Sequence, residues 1–120
     1  MSRRLLTVAH RVCPALSKAA SGYADKFSMV RDCSASLLAA LKGVDVRLVV
    51  ILDGCGDEYA ALFSGAEIVR TDSIGNQATF AKQMEILCAA DSEFVYFSED
   101  DYLYRPEAFA AMLQFMSGGG

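Results

Sequence analysis

Three carboxylates stand side by side near the end of the chain, in the segment VYFSEDDYLY. They are Glu99, Asp100 and Asp101. Adjacent anions repel one another, so a fold that holds them between apolar flanks needs a compensating positive charge. Mg²⁺ or Mn²⁺ would supply it, because such a cation accepts one or two carboxylates and completes its coordination with water and substrate phosphates. Solvated carboxylates that cap the next helix are the plainer alternative.

Two of the three acids are predicted to bind that cation directly. Asp101 is one, and either Glu99 or Asp100 is the other. If the segment is extended, alternate side chains point to the same side, which favours Glu99 together with Asp101.

Polar residues also follow two earlier apolar runs of the chain. His10 and Arg11 come after residues 5–9, and Asp53 comes after residues 46–52. Arg11 could contact a phosphate or be a surface cation, and a lone histidine beside an apolar strand is more often structural than catalytic. Asp53 precedes two glycines, so an Asx-turn is the simpler interpretation, and an acceptor for a nucleobase N–H is the functional one.

The order of apolar runs and turn signals predicts four strands that alternate with helices. The strands are placed at residues 5–9, 46–52, 66–71 and 94–98, and the helices at 26–42, 58–63, 76–90 and from Pro106 onward. We therefore predict an α/β fold, a Rossmann-like three-layer α/β/α sandwich whose mostly parallel sheet has helices on both faces. A long loop is expected from Arg11 to Ala24. Residues 1–117 are expected to form a single domain, with 118–120 as a flexible tail.

Helical periodicity also predicts which side chains the last two helices bury. For the helix at 76–90 these are Phe80, Met84, Leu87 and Cys88. For the final helix they are Phe109, Met112, Leu113 and Met116. Ligands of such sheets bind at the carboxyl ends of the strands, and the three polar groups described above all follow strands. We therefore expect them to meet at one edge of the sheet.

Composition excludes several classes of protein. Nucleic-acid binders usually carry a basic footprint, whereas this chain has a formal net charge of −4 and no basic cluster beyond Arg3 and Arg4. No apolar stretch reaches the roughly 20 residues that span a bilayer. The four cysteines are widely spaced, which favours reduced thiols and a cytoplasmic protein over a disulfide framework or a zinc site.

The order of these elements resembles the nucleotide-sugar-binding half of family-2-like glycosyltransferases with the GT-A fold. The segments that carry the resemblance are LVVILDG, near the middle of the chain, and EFVYFSEDDYLYRPEAF, near its end. The resemblance implies that Asp53 binds the nucleobase. It implies that SEDD stands for the DxD motif, with Glu99 and Asp101 at the metal and Glu99 or Asp100 at the ribose. The end of the first strand, Ala9, His10 and Arg11, would line the nucleotide pocket. Within GNQATFAKQ, Asn76 and Lys82 match loosely a helix start that approaches the diphosphate.

The activity implied is transfer of a sugar from a nucleoside-diphosphate donor to an acceptor hydroxyl. In that family the acceptor-binding half and the catalytic base follow the metal motif, and this sequence offers no candidate for either. We therefore expect the chain to bind donor and metal but to transfer sugar poorly alone, and any exposed apolar surface to favour a homo-oligomer. The alternatives are a non-catalytic nucleotide-binding or interaction module, and a metal-dependent phosphatase-like domain suggested by LDGCGD.

Overall fold

A computed structural model describes residues 4–13 and 25–118 of the chain. The elements in order are β1 (Leu6–Val12), α1 (Lys26–Leu41), β2 (Val46–Asp53), α2 (Asp57–Ala60), a 3₁₀ turn (Ala61–Phe63), β3 (Glu67–Thr71), α3 (Gly75–Ala89), β4 (Phe94–Glu99) and α4 (Ala108–Gly118). Most of the predicted loop between Arg11 and Ala24, and the last two glycines of the predicted tail, lie outside the described residues.

The four strands form one all-parallel sheet in the order β3-β2-β1-β4. Helices α1 and α4 pack on one face, against the even-numbered residues of β1 such as Leu6 and Val8. Helix α3 covers the other face, where Gln83 reaches the carbonyl of Ala9 at 2.8 Å. The predicted α/β three-layer fold is therefore confirmed.

The core owes its stability to the apolar runs that identified the central strands. Val8, Val50 and Ile51 have no solvent-exposed surface, because β1 and β2 are covered on both faces. Each fully buried side chain of this size contributes roughly 1.5–3 kcal/mol. Around β2 the core continues into Tyr59 and Phe63 of the short helical segment, which anchors the connection between β2 and β3.

Helix α1 begins and ends where its sequence signals place it. The carboxylate of Asp25 accepts the N–H of Ser28 at 2.7 Å, which satisfies one of the free donors of the first turn. Gly43 follows the helix with φ +81°, a conformation that glycine adopts at little cost.

The inward faces predicted for α3 and α4 were wrong in part. On α3, Phe80 and Met84 are 46% and 42% exposed, and Cys88 is exposed. Leu87 is buried as predicted, and the helix also buries Thr79 and Gln83. Gln83 can lie inside because its amide donates to main-chain oxygens of β1 and β4, a partnership that hydrophobic periodicity does not reveal. On α4, Phe109 and Leu113 are buried as expected, whereas Met116 is 51% exposed, since it lies near the end of the helix.

The first strand is longer than predicted. His10 and Arg11 do not follow β1 but belong to it, because β1 runs to Val12. Both residues pair in register with residues of β2 and β4. A central strand with partners on both sides tolerates polar residues when their side chains find hydrogen bonds, as these two do.

Candidate functional site at the carboxyl edge of the sheet

Strand register brings the polar residues together at one edge. Arg11 of β1 lies directly opposite Glu99 of β4. On the far side of β1, Asp53 ends β2 opposite Thr71 of β3. Because all strands are parallel, these residues share the carboxyl edge, as the sequence predicts. The ends of β2 and β4 are separated by β1, which corresponds to about 10 Å across the sheet.

Arg11 and Glu99 form a two-pronged ion pair. Nε of Arg11 donates to Oε2 at 2.6 Å and Nη2 donates to Oε1 at 2.9 Å. The side chains are 17% and 26% exposed, so the pair is only partly screened by water. The hydrogen bond to Glu99 raises the pKa of the Arg11 guanidinium, which partial burial opposes. Nη1 also donates to the main-chain oxygen of Asn76 and to Oγ1 of Thr79, so Arg11 ties β4 to the start of α3.

Asp100 is held from the opposite face of the sheet. Its Oδ2 lies 3.0 Å from Nζ of Lys26 and accepts the N–H of Cys13 at 3.0 Å. Both side chains of the ion pair are 12% exposed. Burial raises the pKa of the Asp100 carboxyl, and the Cys13 N–H and the Lys26 ammonium partly offset this. The pair joins the end of β4 to the first residue of α1.

Asp101 is the one acid of the three that makes no ion pair with the residues that the structure describes. It is exposed in the turn after β4. The repulsion between neighbouring carboxylates is thus relieved for Glu99 and Asp100 by Arg11 and Lys26. Within residues 4–13 and 25–118, nothing closes Asp101 off from a ligand in solvent.

Asp53 is almost enclosed, at 5% exposure. Oδ1 accepts the Thr71 hydroxyl at 2.7 Å and the Ile74 N–H at 2.8 Å, and Oδ2 accepts the Gly75 N–H at 2.9 Å. Burial opposes ionisation, but these donors together hold the pKa of Asp53 below its usual range. The carboxylate therefore organises the loop into α3 across the sheet edge. A nucleobase that donates to Asp53 would have to share carboxylate oxygens that already accept these three hydrogen bonds. Binding of a nucleobase by Asp53 remains a prediction.

His10 is an interior residue, 1% exposed, whose Nδ1 lies 2.7 Å from Oγ of Ser98. That hydroxyl also contacts the phenol of Tyr104 at 2.8 Å. Burial lowers the pKa of His10 to about 3, so the ring is neutral. Ala9 is likewise fully buried. These two predicted pocket residues lie beneath the edge, with their side chains in the interior.

The two residues predicted on α3 have different positions. Asn76 lies at the start of the helix, where its main-chain oxygen accepts a hydrogen bond from Nη1 of Arg11. Lys82 lies seven residues beyond Gly75 on the same helix, about 10 Å further along the axis. Among the residues with described placement it forms no ion pair. The structure therefore does not bring Lys82 to the carboxyl edge.

Sequence reasoning missed Lys26 and Thr79, which hold Asp100 and Arg11. Lys26 was recognisable only as the first residue of a capped helix, and Thr79 only as a helical residue. Their roles depend on how the helices dock on the sheet, which no local pattern encodes.

A ready-made cluster of metal ligands is not found in residues 4–13 and 25–118, where no three His, Cys, Asp or Glu side chains are arranged to bind an ion. This is compatible with a magnesium-type site, since such ions take only one or two carboxylates and complete their coordination with phosphate and water. Asp101 meets this requirement. Glu99 would meet it only by sharing its oxygens with Arg11.

No protein-family model, curated protein or solved structure matches the chain. Over the part of the chain that the structure describes, no helix is long and apolar enough to cross a membrane. The four cysteines, all within that part, are free thiols.

Proposed function

We propose that the carboxyl edge of the sheet binds a nucleoside-diphosphate sugar together with Mg²⁺ or Mn²⁺, as the donor site of a GT-A-like glycosyltransferase. The observation that carries the proposal is the shared edge. Arg11, Asp53 and the 99–101 acids leave three neighbouring parallel strands at the same end. This is the end at which parallel α/β sheets bind their ligands. The free thiols are in keeping with a cytoplasmic protein, which we propose as well.

The charge of the site supports a metal-coupled ligand. Among the residues that the structure describes, the carboxylates at positions 53, 99, 100 and 101 are accompanied by two paired cations, Arg11 and Lys26. Each cation is already paired with a carboxylate, which leaves a formal charge of about −2 for this set. A diphosphate brought alone to such a site would be repelled. A divalent cation reverses that balance, so we expect donor binding to require the metal.

The residues have distinct roles in this proposal. Asp101 supplies the open carboxylate for the cation, and Glu99 assists if Arg11 shares it. The metal, when bound, would neutralise the charge that grows on the leaving diphosphate. Arg11 fixes the position of Glu99, and Lys26 fixes Asp100, so the turn that carries Asp101 is held from both faces of the sheet.

A non-catalytic interaction module is the second candidate. It is favoured by the same two ion pairs, because a purely structural clamp would also neutralise Glu99 and Asp100 internally. A phosphatase-like use of Asp53 is less favoured, since three hydrogen bonds and 5% exposure restrict its carboxylate.

Calorimetric titration distinguishes the candidates. UDP and GDP are titrated into the full chain with and without Mn²⁺, and then into Asp101→Asn and the control Asp91→Asn. Asp91 is an exposed acid that lies before β4, at the opposite edge. We expect binding only with Mn²⁺, weakened about tenfold or more in Asp101→Asn and unchanged in Asp91→Asn. Equal binding without metal, or equal loss in both variants, would contradict the proposal.

A further inference from the structure

The two outer strands of the described sheet differ in how their free edges are protected. Charged residues of β3 are engaged in ion pairs, Glu67 with Arg47 at 2.7 Å and Arg70 with Asp57 at 3.0 Å. Charges of this kind on an edge strand discourage pairing with another strand. In β4 the five residues from Phe94 to Ser98 carry no charge and no proline. Its edge lacks the protection that β3 has.

An apolar surface borders this unprotected edge. Phe80 and Met84 of α3, with Val95 and Phe97 of β4, form what we call the β4 patch. Val95 is 46% exposed and the two α3 residues are 46% and 42% exposed. The Phe80 and Phe97 rings stack with centroids 5.3 Å apart, so the patch is a preformed surface on the α3 side of the sheet.

Main-chain groups of the same strand point outward. The N–H of Phe94 donates to the Leu5 carbonyl at 2.9 Å, on the β1 side. Main-chain groups alternate along a strand, so Val95 and Phe97 direct their N–H and C=O groups away from β1. The residues that carry the apolar side chains therefore also present main-chain groups that pair with no other strand of the described sheet.

Negatively charged residues lie at both ends of the β4 patch. Asp91 and Glu93 are exposed before β4, and Asp101 is exposed after it. Glu99 is compensated by Arg11. The patch is thus apolar along its length and negative at both ends.

We propose that β4 accepts an extended segment of a partner protein as a fifth strand of the sheet. The segment places apolar side chains at alternate positions over the β4 patch and a basic residue near each end. Strand addition of this type gains affinity from main-chain hydrogen bonds and specificity from alternate side chains. Pairing at this outer strand does not depend on the proposed nucleotide site.

A second copy of the chain fits the same edge less well. An antiparallel β4–β4 pair would set Glu93 of one copy near the acidic end of the other. Like charges opposite each other destabilise paired strands, and the whole chain carries −4. Charge therefore favours a basic-ended segment over self-pairing.

Fluorescence polarisation with labelled peptides tests the proposal on the full chain. The probe is a short peptide of alternating valine and threonine with a lysine at each end. Two matched peptides carry glutamate ends or N-methylated main-chain nitrogens. We expect saturable binding of the lysine-ended probe that weakens with salt, and binding weaker by about tenfold or more for each matched peptide.

Two protein variants locate the binding edge. Val95→Lys places a charge on the β4 edge, and Ile68→Lys makes the same change on β3, where Ile68 is 36% exposed. Loss of binding in Val95→Lys alone, with both variants folded by circular dichroism, supports the proposal. Absent binding, equal binding of glutamate-ended or N-methylated peptides, or equal loss in both variants would overturn it. A wild-type dimer that Val95→Lys dissociates would overturn it too, since a second copy would then occupy the edge.

Discussion

The buried imidazole of His10 makes the fold sensitive to mild acid. The side chain is 1% exposed and its Nδ1 is engaged with Ser98 at 2.7 Å. Its Nε2 has no hydrogen-bond partner among the described residues. Protonation would place an unpaired charge in the interior, which is why burial lowers the pKa to about 3. The unfolded chain, with an ordinary histidine, takes up the proton near pH 6.5.

The size and sign of the effect follow from those two pKa values. The pKa of His10 is lower in the folded state than in the unfolded chain. The free energy of unfolding is therefore highest above about pH 6.5 and decreases as the pH falls toward about 3. Each pH unit in that window costs about 1.4 kcal/mol. Between about pH 7.5 and 5 the free energy of unfolding should therefore drop by about 2 kcal/mol. Asp100 acts in the opposite direction, since burial raises the pKa of its carboxyl.

Urea unfolding, measured at several pH values between about 5 and 7.5, provides the assay. His10→Gln is the matched variant, because it keeps a polar group that can meet Ser98 but does not titrate. The contribution of Asp100 is common to both proteins and cancels in their difference. We expect the wild type to lose about 2 kcal/mol more than the variant across this range. Parallel pH profiles would refute the assignment of His10 as a neutral buried base.

Three further substitutions test contacts at the carboxyl edge by urea unfolding at neutral pH. Lys26→Met should destabilise the fold by about 3 kcal/mol, because it leaves Asp100 buried without its cation. Adding Asp100→Asn should restore part of that stability. A double variant no more stable than Lys26→Met would contradict the pairing. Arg11→Lys should lower the free energy of unfolding by about 1–2 kcal/mol, because lysine cannot form both hydrogen bonds to Glu99. An unchanged midpoint of urea unfolding would show that the two-pronged ion pair does not stabilise the fold. Gly54→Ala should lower the free energy of unfolding more than Gly43→Ala does. Both glycines have positive φ, but of the two only Gly54 would bring a Cβ into collision with a neighbouring side chain. Equal losses of stability in the two variants would contradict this.

Much of the fold was predictable because its signals are local. The β-branched run ending at Asp53 identified a strand buried on both faces, and Asp25 and Gly43 marked the ends of α1. Since alternating strands and helices favour a parallel sheet, the shared carboxyl edge followed from topology alone.

The side-chain partnerships of the edge were not predictable in the same way. The pairing of Arg11 with Glu99 depends on the register between β1 and β4, across 88 residues of sequence. The inward face of α3 was misjudged because Gln83 gains two main-chain hydrogen bonds inside, whereas Phe80 stacks on β4 and remains half exposed. Both features are decided by packing between distant segments.

The most direct test of the proposed donor site is paramagnetic broadening of amide NMR signals by Mn²⁺ in the presence of UDP. We expect the signals of Asp101, Asp100 and Gly54 to broaden first, and those of residues 43–45, at the opposite edge, to stay sharp. Mg²⁺ with UDP serves as the diamagnetic control and should shift the same signals without broadening them. Broadening centred away from the carboxyl edge, or none when UDP is present, would show that the metal and the nucleotide do not bind at this edge.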